Sequence, residues 1–483
     1  MQVTFTPNFE SQSVDAKVII LYKDYDETLI PEELKAELEV LKERETFDLE
    51  KFGFKKFYAS SSVIYLCSLG KDMEEAELDD LRFLAYKVFT DIRNERFASV
   101  AIRMQKGSLT KPHSYFILAE RASMVQYKFD KFKSGRKDNR FETLYIVDQD
   151  ANMGLEEAVK EALLLAEAQK TARALVDEPA NKLRPSDLAK KAVEQGAKSG
   201  FDVEVFEREE IEKFGMEAYL SVARGSVNPP KLIVMRYRGA KKGDTTYGLV
   251  GKGLCFDSGG YSLKPSTSMD TMKLDMGGAA TVIGAMQAIA EAKLPVNVVA
   301  VVASCENLIG PEAYFPGDII GSMAGKTIFV KNTDAEGRLT LIDAITYIIR
   351  KENVDTVFDF ATLTGAAMAA FGYACAPTLT NDEDIYAEFK QAAEIAGEKI
   401  WRMPIFPEYK ELIKNDEADL TNSAGNPGMI TAGMFVGEFV EDKPWIHVDI
   451  APTAYVDKQS GFYDKGATGF GVKTVYEFMK TQK

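Results

Sequence analysis

Histidine is nearly missing from this chain of 483 residues, which has two, His113 and His447. A three-histidine zinc site is therefore excluded, and neither histidine sits in an H-E-x-x-H motif. Any bound metal must rest mainly on oxygen ligands. Cysteine is sparse as well. The spacings of Cys67, Cys255, Cys305 and Cys375 fit neither a zinc knuckle nor a disulfide framework. Buried free thiols in a reducing compartment are the expectation. No run of eighteen apolar residues occurs, so no membrane span is expected. Met1-Gln2-Val3-Thr4-Phe5 is not a basic region followed by an apolar stretch, which argues against a secretory leader. Positive charge is in deficit, with 59 Lys and Arg against 74 Asp and Glu and a net charge of −15. That balance disfavours general binding to nucleic acid or to an anionic membrane. A cytoplasmic protein is expected.

What is present is apolar content of 46%, ample for burial, in a chain too long for one ordinary core. Residues 1–150 read as a small α/β domain. Lys17–Tyr22, Val63–Cys67 and Ala98–Ile102 are strand-like, and Leu78–Phe97 has helical spacing. Lys131–Arg140 reads as a surface loop. Residues 151–176, rich in alanine, leucine and charge, read as a connecting helix. From 177 to 483 strands and helices alternate, which predicts a larger α/β/α domain around a mostly parallel central sheet. Ser186 is placed to cap a helix over Asp187–Ser199. Val296–Ala303 and Val357–Ala361 are near-continuous apolar runs suited to central strands.

Two segments carry the chemistry. Asn332-Thr333-Asp334-Ala335-Glu336-Gly337-Arg338-Leu339 sets two carboxylates at i and i+2, then a glycine and an arginine. In a helix such positions face apart, so joint action of Asp334 and Glu336 requires a strand end or a loop. Upstream, Val250-Gly251-Lys252-Gly253-Leu254-Cys255-Phe256-Asp257-Ser258-Gly259-Gly260 follows the strand-like run Thr245–Val250. Its glycines suggest a loop with tight turns, carrying Lys252 and Asp257. Lys264 comes next, then Asp275 just before a helical stretch that runs to about Lys293.

These segments resemble the leucine aminopeptidase (cytosol aminopeptidase) family. The octamer Asn332–Leu339 matches that family's signature in full. Further matches cover most of residues 178–472, among them Phe256–Gly260, Met269–Ala280, Ala361–Ala366, Asp419 with Asn422, and His447–Ala451. Residues 1–150 carry little of the likeness. The resemblance implies a metal-dependent aminopeptidase with two divalent ions per subunit, manganese or zinc. Asp257 and Glu336 would contact both ions, Asp334 would complete one site, and Lys252 with Asp275 the other. A metal-bridging hydroxide would be the nucleophile. Lys264 and Arg338 match the family's catalytic positions. Lys264 would stabilise the oxyanion, and Arg338 would orient water or hold a small anion such as bicarbonate. Met272, Thr362, Leu363 and Gly365 match positions that line the substrate cleft. A homo-hexamer acting on peptides with a free N-terminus is implied too.

Each residue also has a plainer reading. Lys252 ligates a metal only as a neutral amine, and deprotonation at pH 7 costs roughly 4.6 kcal/mol. A salt bridge from protonated Lys252 is the alternative. Asp257 could serve an Asx-turn before Ser258-Gly259-Gly260, and Asp275 a helix N-cap. Met269 could be core or pocket. Phe329, Lys331, Ile342 and Pro452 depart from the family's usual residues, and Pro452 could stiffen the pocket wall. Two other functions fit the same fold: a DNA-binding regulator, and a dinuclear hydrolase of another substrate, such as a phosphoester.

Overall fold

The structure is a computed structural model and describes residues 1–482 except 11, 45–47, 49, 51, 60 and 136–140. The expected surface loop thus lies partly outside the described residues; its portion 131–135 forms exposed turns. The chain divides into two compact units, Met1–Glu167 and Ala168–Lys483. The division falls inside one helix, Met153–Asp177.

In the first unit, apolar runs pair into a six-stranded sheet. Its order is Gln2–Thr6, Thr143–Val147, Ser99–Met104, Ala16–Leu21, Val63–Ser68, Gly53–Tyr58. All neighbours are parallel except the last pair. Ala16–Leu21 is buried at all six positions, as a strand with neighbours on both sides must be. The helix Leu78–Glu95 ends on Arg96 in the left-handed region.

The second unit holds an eight-stranded sheet. Its order is Ile400–Arg402, Ala376–Thr380, Trp445–Asp449, Thr356–Ala361, Thr246–Asp257, Asn297–Asn307, Lys231–Arg238, Asp202–Phe206. The four central strands, from Trp445–Asp449 to Asn297–Asn307, run parallel. Alternating side chains of the middle strand face two helical layers. Val250 packs in one core with Leu339, Ile342 and Ile345 of the helix Gly337–Glu352. Gly251 points the other way, against Gly278 in the helix Gly277–Glu291. The fold is α/β with mostly parallel sheets, as expected.

Two local expectations change. The helix expected from Asp187 begins at Pro185, with Arg184 rather than Ser186 as its cap residue. Proline at the first position fits because its φ is already helical, and Asp187 accepts a hydrogen bond from the Arg184 N–H (3.0 Å). The glycine-rich stretch after Val250 is strand as far as Asp257 and turns only at Gly259 and Gly260. The strand runs unbroken to Asp257, paired with Asn297–Asn307 on both sides of a register shift at Cys305/Glu306. Within the strand, glycine serves close packing rather than turning. A Cβ on Gly251 would lie 2.5 Å from the Gly278 carbonyl oxygen, and one on Gly278 would lie 1.9 Å from that of Phe360.

Candidate active site

The parallel strands deliver their carboxyl ends to one edge of the sheet, where open α/β sheets place their sites. Lys252 and Asp257 come from the strand Thr246–Asp257. Asp275 lies in the 3-10 turn Met272–Met276. Asp334 and Glu336 stand in the turn that enters the helix Gly337–Glu352, outside its first hydrogen-bonded residue, and Glu336 as cap residue already has helical backbone angles. Lys264 follows a turn made possible by Gly259 and Gly260, whose φ values are 84° and 61°. All five expected ligands, Lys264 and Arg338 line one cavity of about 1090 Å³. Met272, Thr362, Leu363 and Gly365 line it as well; Met269 does not. Pro452 is buried between two residues of the wall, Ala451 and Tyr455.

Charge is concentrated and dry. Lys252 and Glu336 are 3% and 1% exposed. The Lys252 ammonium lies 2.7 Å from Asp275 Oδ1 and 3.0 Å from Glu336 Oε1, and donates to the Thr362 carbonyl (3.1 Å). Lys252 Nζ is thus ringed by two carboxylates and a carbonyl oxygen. Lys264 Nζ lies 2.8 Å from Asp257 Oδ2 and 2.5 Å from Asp334 Oδ1. The Asx-turn at Asp257 is present, since Oδ1 accepts from Gly259 N–H (2.8 Å). The same oxygen accepts from Asn307 Nδ2 (2.8 Å), so the turn and an oriented carboxylate coexist. Asp275 is not a helix cap; the cap residue is Met276, and Asp275 Oδ1 accepts from the Thr362 hydroxyl (2.8 Å).

Burial, reinforced by neighbouring carboxylates, pushes Asp275 up to about 6 and Glu336 up to about 8 against the pull of the lysines. Burial works to lower Lys252, but Asp275, Glu336 and Asp257 together hold it well above the ordinary range. Arg338 is lowered to about 10 by burial. The raised values of Asp275, Glu336 and Lys252 trace to carboxylates crowded into a low dielectric, whereas Arg338 falls because burial penalises its own charge against the pull of those carboxylates.

The donor set suits a divalent cation. Asp257, Asp334 and Glu336 each bring one carboxylate oxygen within 4.8 Å of the others. Asp275 Oδ2 and Glu336 Oε2 are buried without a hydrogen-bond partner, which is costly for an anion unless something else meets it. Gly337 leaves room for this cluster, because a Cβ there would lie 2.5 Å from Lys252 Nζ.

Three buried polar residues near the site were given no role from sequence. Asn307 orients Asp257 and also donates to the Thr333 carbonyl (2.9 Å). Asp449 pins the 363–364 loop by accepting from Leu363 N–H (3.1 Å) and the Thr364 hydroxyl (2.6 Å). Asn422 contacts the Asp334 loop. The only sequence signal for Asn422 and Asp449 was their place in family matches. Asn307 had none beyond being polar at the end of an apolar strand.

The comparisons agree with this geometry. A model of the cytosol aminopeptidase family, catalytic domain, matches residues 170–476. A probable cytosol aminopeptidase of Clostridium perfringens is 44% identical over 483 residues, covering 97% of each chain. Another, of Alkaliphilus oremlandii, is 44% identical and covers 94% of this chain and 91% of its own. Among solved structures, a mutant of tomato leucine aminopeptidase superposes with a TM-score of 0.91 at 31% identity, over 100% of this chain and 97% of its own. The bottromycin maturation enzyme BotP in complex with Mn gives 0.86 at 28% identity, over 96% and 99%. Nothing in these likenesses supports the DNA-binding alternative. Likeness that runs the length of the chain, joined to the converging acidic cluster, makes this protein a member of the cytosol aminopeptidase family, and so an aminopeptidase and a peptide hydrolase.

Proposed function

We propose that the protein releases single residues, leucine among them, from the free N-terminus of peptides at a centre of two divalent ions, manganese or zinc. The observation that carries this reading is the convergence of Asp257, Asp334 and Glu336 within 4.8 Å. These three, with Asp275 and a deprotonated Lys252, would hold the ions. Bound there, divalent cations polarise a peptide carbonyl and lower the pKa of a coordinated water toward neutrality. Lys264, 16% exposed and facing the cavity, offers a cation to the charge that develops on the carbonyl oxygen. Arg338, anchored by its hydrogen bond to the Asn422 carbonyl (2.7 Å), is placed to hold a small anion such as bicarbonate that accepts a proton. Met272, Thr362, Leu363 and Gly365 form the wall for the first side chain, and methionine adapts to several shapes. A peptide enters with its α-amino group toward the acidic cluster, and a blocked N-terminus forfeits that anchor. The homo-hexamer is proposed on resemblance alone. A cytoplasmic setting suits the free thiols of Cys67, Cys255, Cys305 and Cys375.

The test compares leucyl anilide with its N-acetylated form, after chelation and after return of Mn2+ or Zn2+. Expected is loss of activity on chelation, recovery with metal, and at least about 100-fold preference for the free amine. Asp257→Ala and Lys264→Ala should each lose about 100-fold or more in kcat. A chelated enzyme with undiminished activity refutes the metal centre. Equal rates on the two anilides refute the amine anchor.

A further inference from the structure

We propose that Asn422 is a positioning residue: its buried carboxamide clamps the loop that carries Asp334 and Glu336, while its backbone carbonyl anchors Arg338. The proposal rests on the metal reading above and adds a residue to which no role has been given.

Asn422 is fully buried. Its Oδ1 accepts from the Lys331 N–H (2.9 Å) and the Asn332 N–H (3.3 Å). Its Nδ2 donates to the Asn332 carbonyl (2.7 Å) and the Ala335 carbonyl (3.3 Å). Its own carbonyl accepts from Arg338 (2.7 Å), and its N–H donates to the Phe329 carbonyl (3.1 Å). Every hydrogen-bonding atom of this residue is therefore spent on residues 329–338. A carboxamide is the only short side chain that presents two donors and an acceptor at once. That is what reading backbone N–H and C=O groups on both sides of Asn332 requires.

The clamp is itself held in register. Leu420–Thr421 pairs in parallel with Ile328–Phe329. One step earlier, Asp419 accepts from the Thr327 N–H (2.8 Å) and hydroxyl (2.9 Å). Residues 419–422 thus close along 327–332 like a zipper that ends at the ligand loop. Without it, the 331–335 backbone would lose four hydrogen bonds in a segment that must hold two carboxylates on one side.

Two variants separate positioning from packing. Asn422→Asp keeps shape and volume but turns an acceptor toward the Asn332 and Ala335 carbonyls. Asn422→Ala removes every side-chain contact. The Arg338 contact, made through the backbone, survives in both. The whole protein is titrated with Mn2+ alone, followed by the electron spin resonance of free Mn2+. Leucyl anilide kinetics are measured at saturating Mn2+, and unfolding midpoints confirm the fold. The expected result is Mn2+ affinity weakened about 10- to 100-fold and kcat reduced at least tenfold with KM within threefold. The isosteric Asp variant should be no better than Ala. Tyr219→Phe, which removes buried hydrogen bonds to Lys231 and Ser304 away from the loop, should lower the midpoint while leaving Mn2+ affinity intact. If Asn422→Asp does not accumulate, Asn422→Ser takes its place. Variants that bind Mn2+ like wild type, or an Asp variant that outperforms Ala, overturn the clamp alone. A wild type that binds neither Mn2+ nor, in the same titration, Zn2+ overturns the metal reading and the clamp with it.

Discussion

Gly337→Ala sets two effects of opposite sign against each other. Gly337 is the first residue of the helix Gly337–Glu352, and its φ is not in the left-handed region. On helix propensity alone, alanine there stabilises by up to about 1 kcal/mol. The added Cβ, however, would lie 2.3 Å from Lys252 Cε and 2.5 Å from Nζ. A surface lysine would swing aside. Lys252 is 3% exposed and wedged between Asp275, Glu336 and the Thr362 carbonyl. Displacing it strands buried carboxylates, a loss of up to about 3–5 kcal/mol when a buried pair is broken outright. The balance is a net destabilisation of roughly 2–4 kcal/mol. A shift of about 1 Å in a group at the reacting centre also costs about 100-fold in rate. Urea unfolding of the second unit and kcat/KM on leucyl anilide read the two effects separately. A variant as stable as wild type or more so, with unchanged kcat/KM, would refute the argument that this glycine exists to admit Lys252.

Asp343, fully buried in the same helix, accepts from the Tyr219 N–H (2.9 Å) and the Met323 N–H (2.8 Å). Asp343→Ala orphans both donors and should destabilise the second unit by about 3 kcal/mol; denaturant titration checks this, and a loss under about 1 kcal/mol contradicts it. In the first unit, burial works to raise Asp148, but the Lys111 ammonium (2.7 Å), the Tyr115 hydroxyl (2.6 Å) and the Asp150 N–H (2.8 Å) together hold it below the usual carboxylate range. Its stabilisation is therefore full above the unfolded pKa of about 3.9 and lost as pH falls through the lower folded value. Asp148→Asn should cost the first unit about 2 kcal/mol at pH 7, and the gap to wild type should narrow as pH falls below the unfolded pKa. Parallel stability curves across that range would show that the carboxylate is not the cause.

Much of the site was readable because its chemistry is local. Asp334 and Glu336 are two residues apart, and their joint use demanded a strand end or a loop whatever the rest of the chain did. The apolar run Val296–Ala303, most of the strand Asn297–Asn307, and the core positions Ile342, Ile345 and Ile349 were readable because burial imposes a pattern on consecutive residues. The segment 251–257 was misread because glycine has two uses, turning and close approach. Only the position of Gly278 decides between them. Asn422 was invisible as a clamp because its partners lie some ninety residues back in the chain. No property of the 419–422 segment names them.

The sequence by itself determined the alternation of strands and helices and the oxygen-rich character of any metal site, since these follow from side-chain chemistry and short-range spacing; the particular ligand residues came from its resemblance to the family. Tertiary structure alone decided that Lys252 would lie between Asp275 and Glu336, that Lys264 would bridge Asp257 and Asp334, and that Asn422 would contact the ligand loop. Each of those facts depends on distances between strands and turns far apart in the chain, and such distances are set by the packing of the whole sheet.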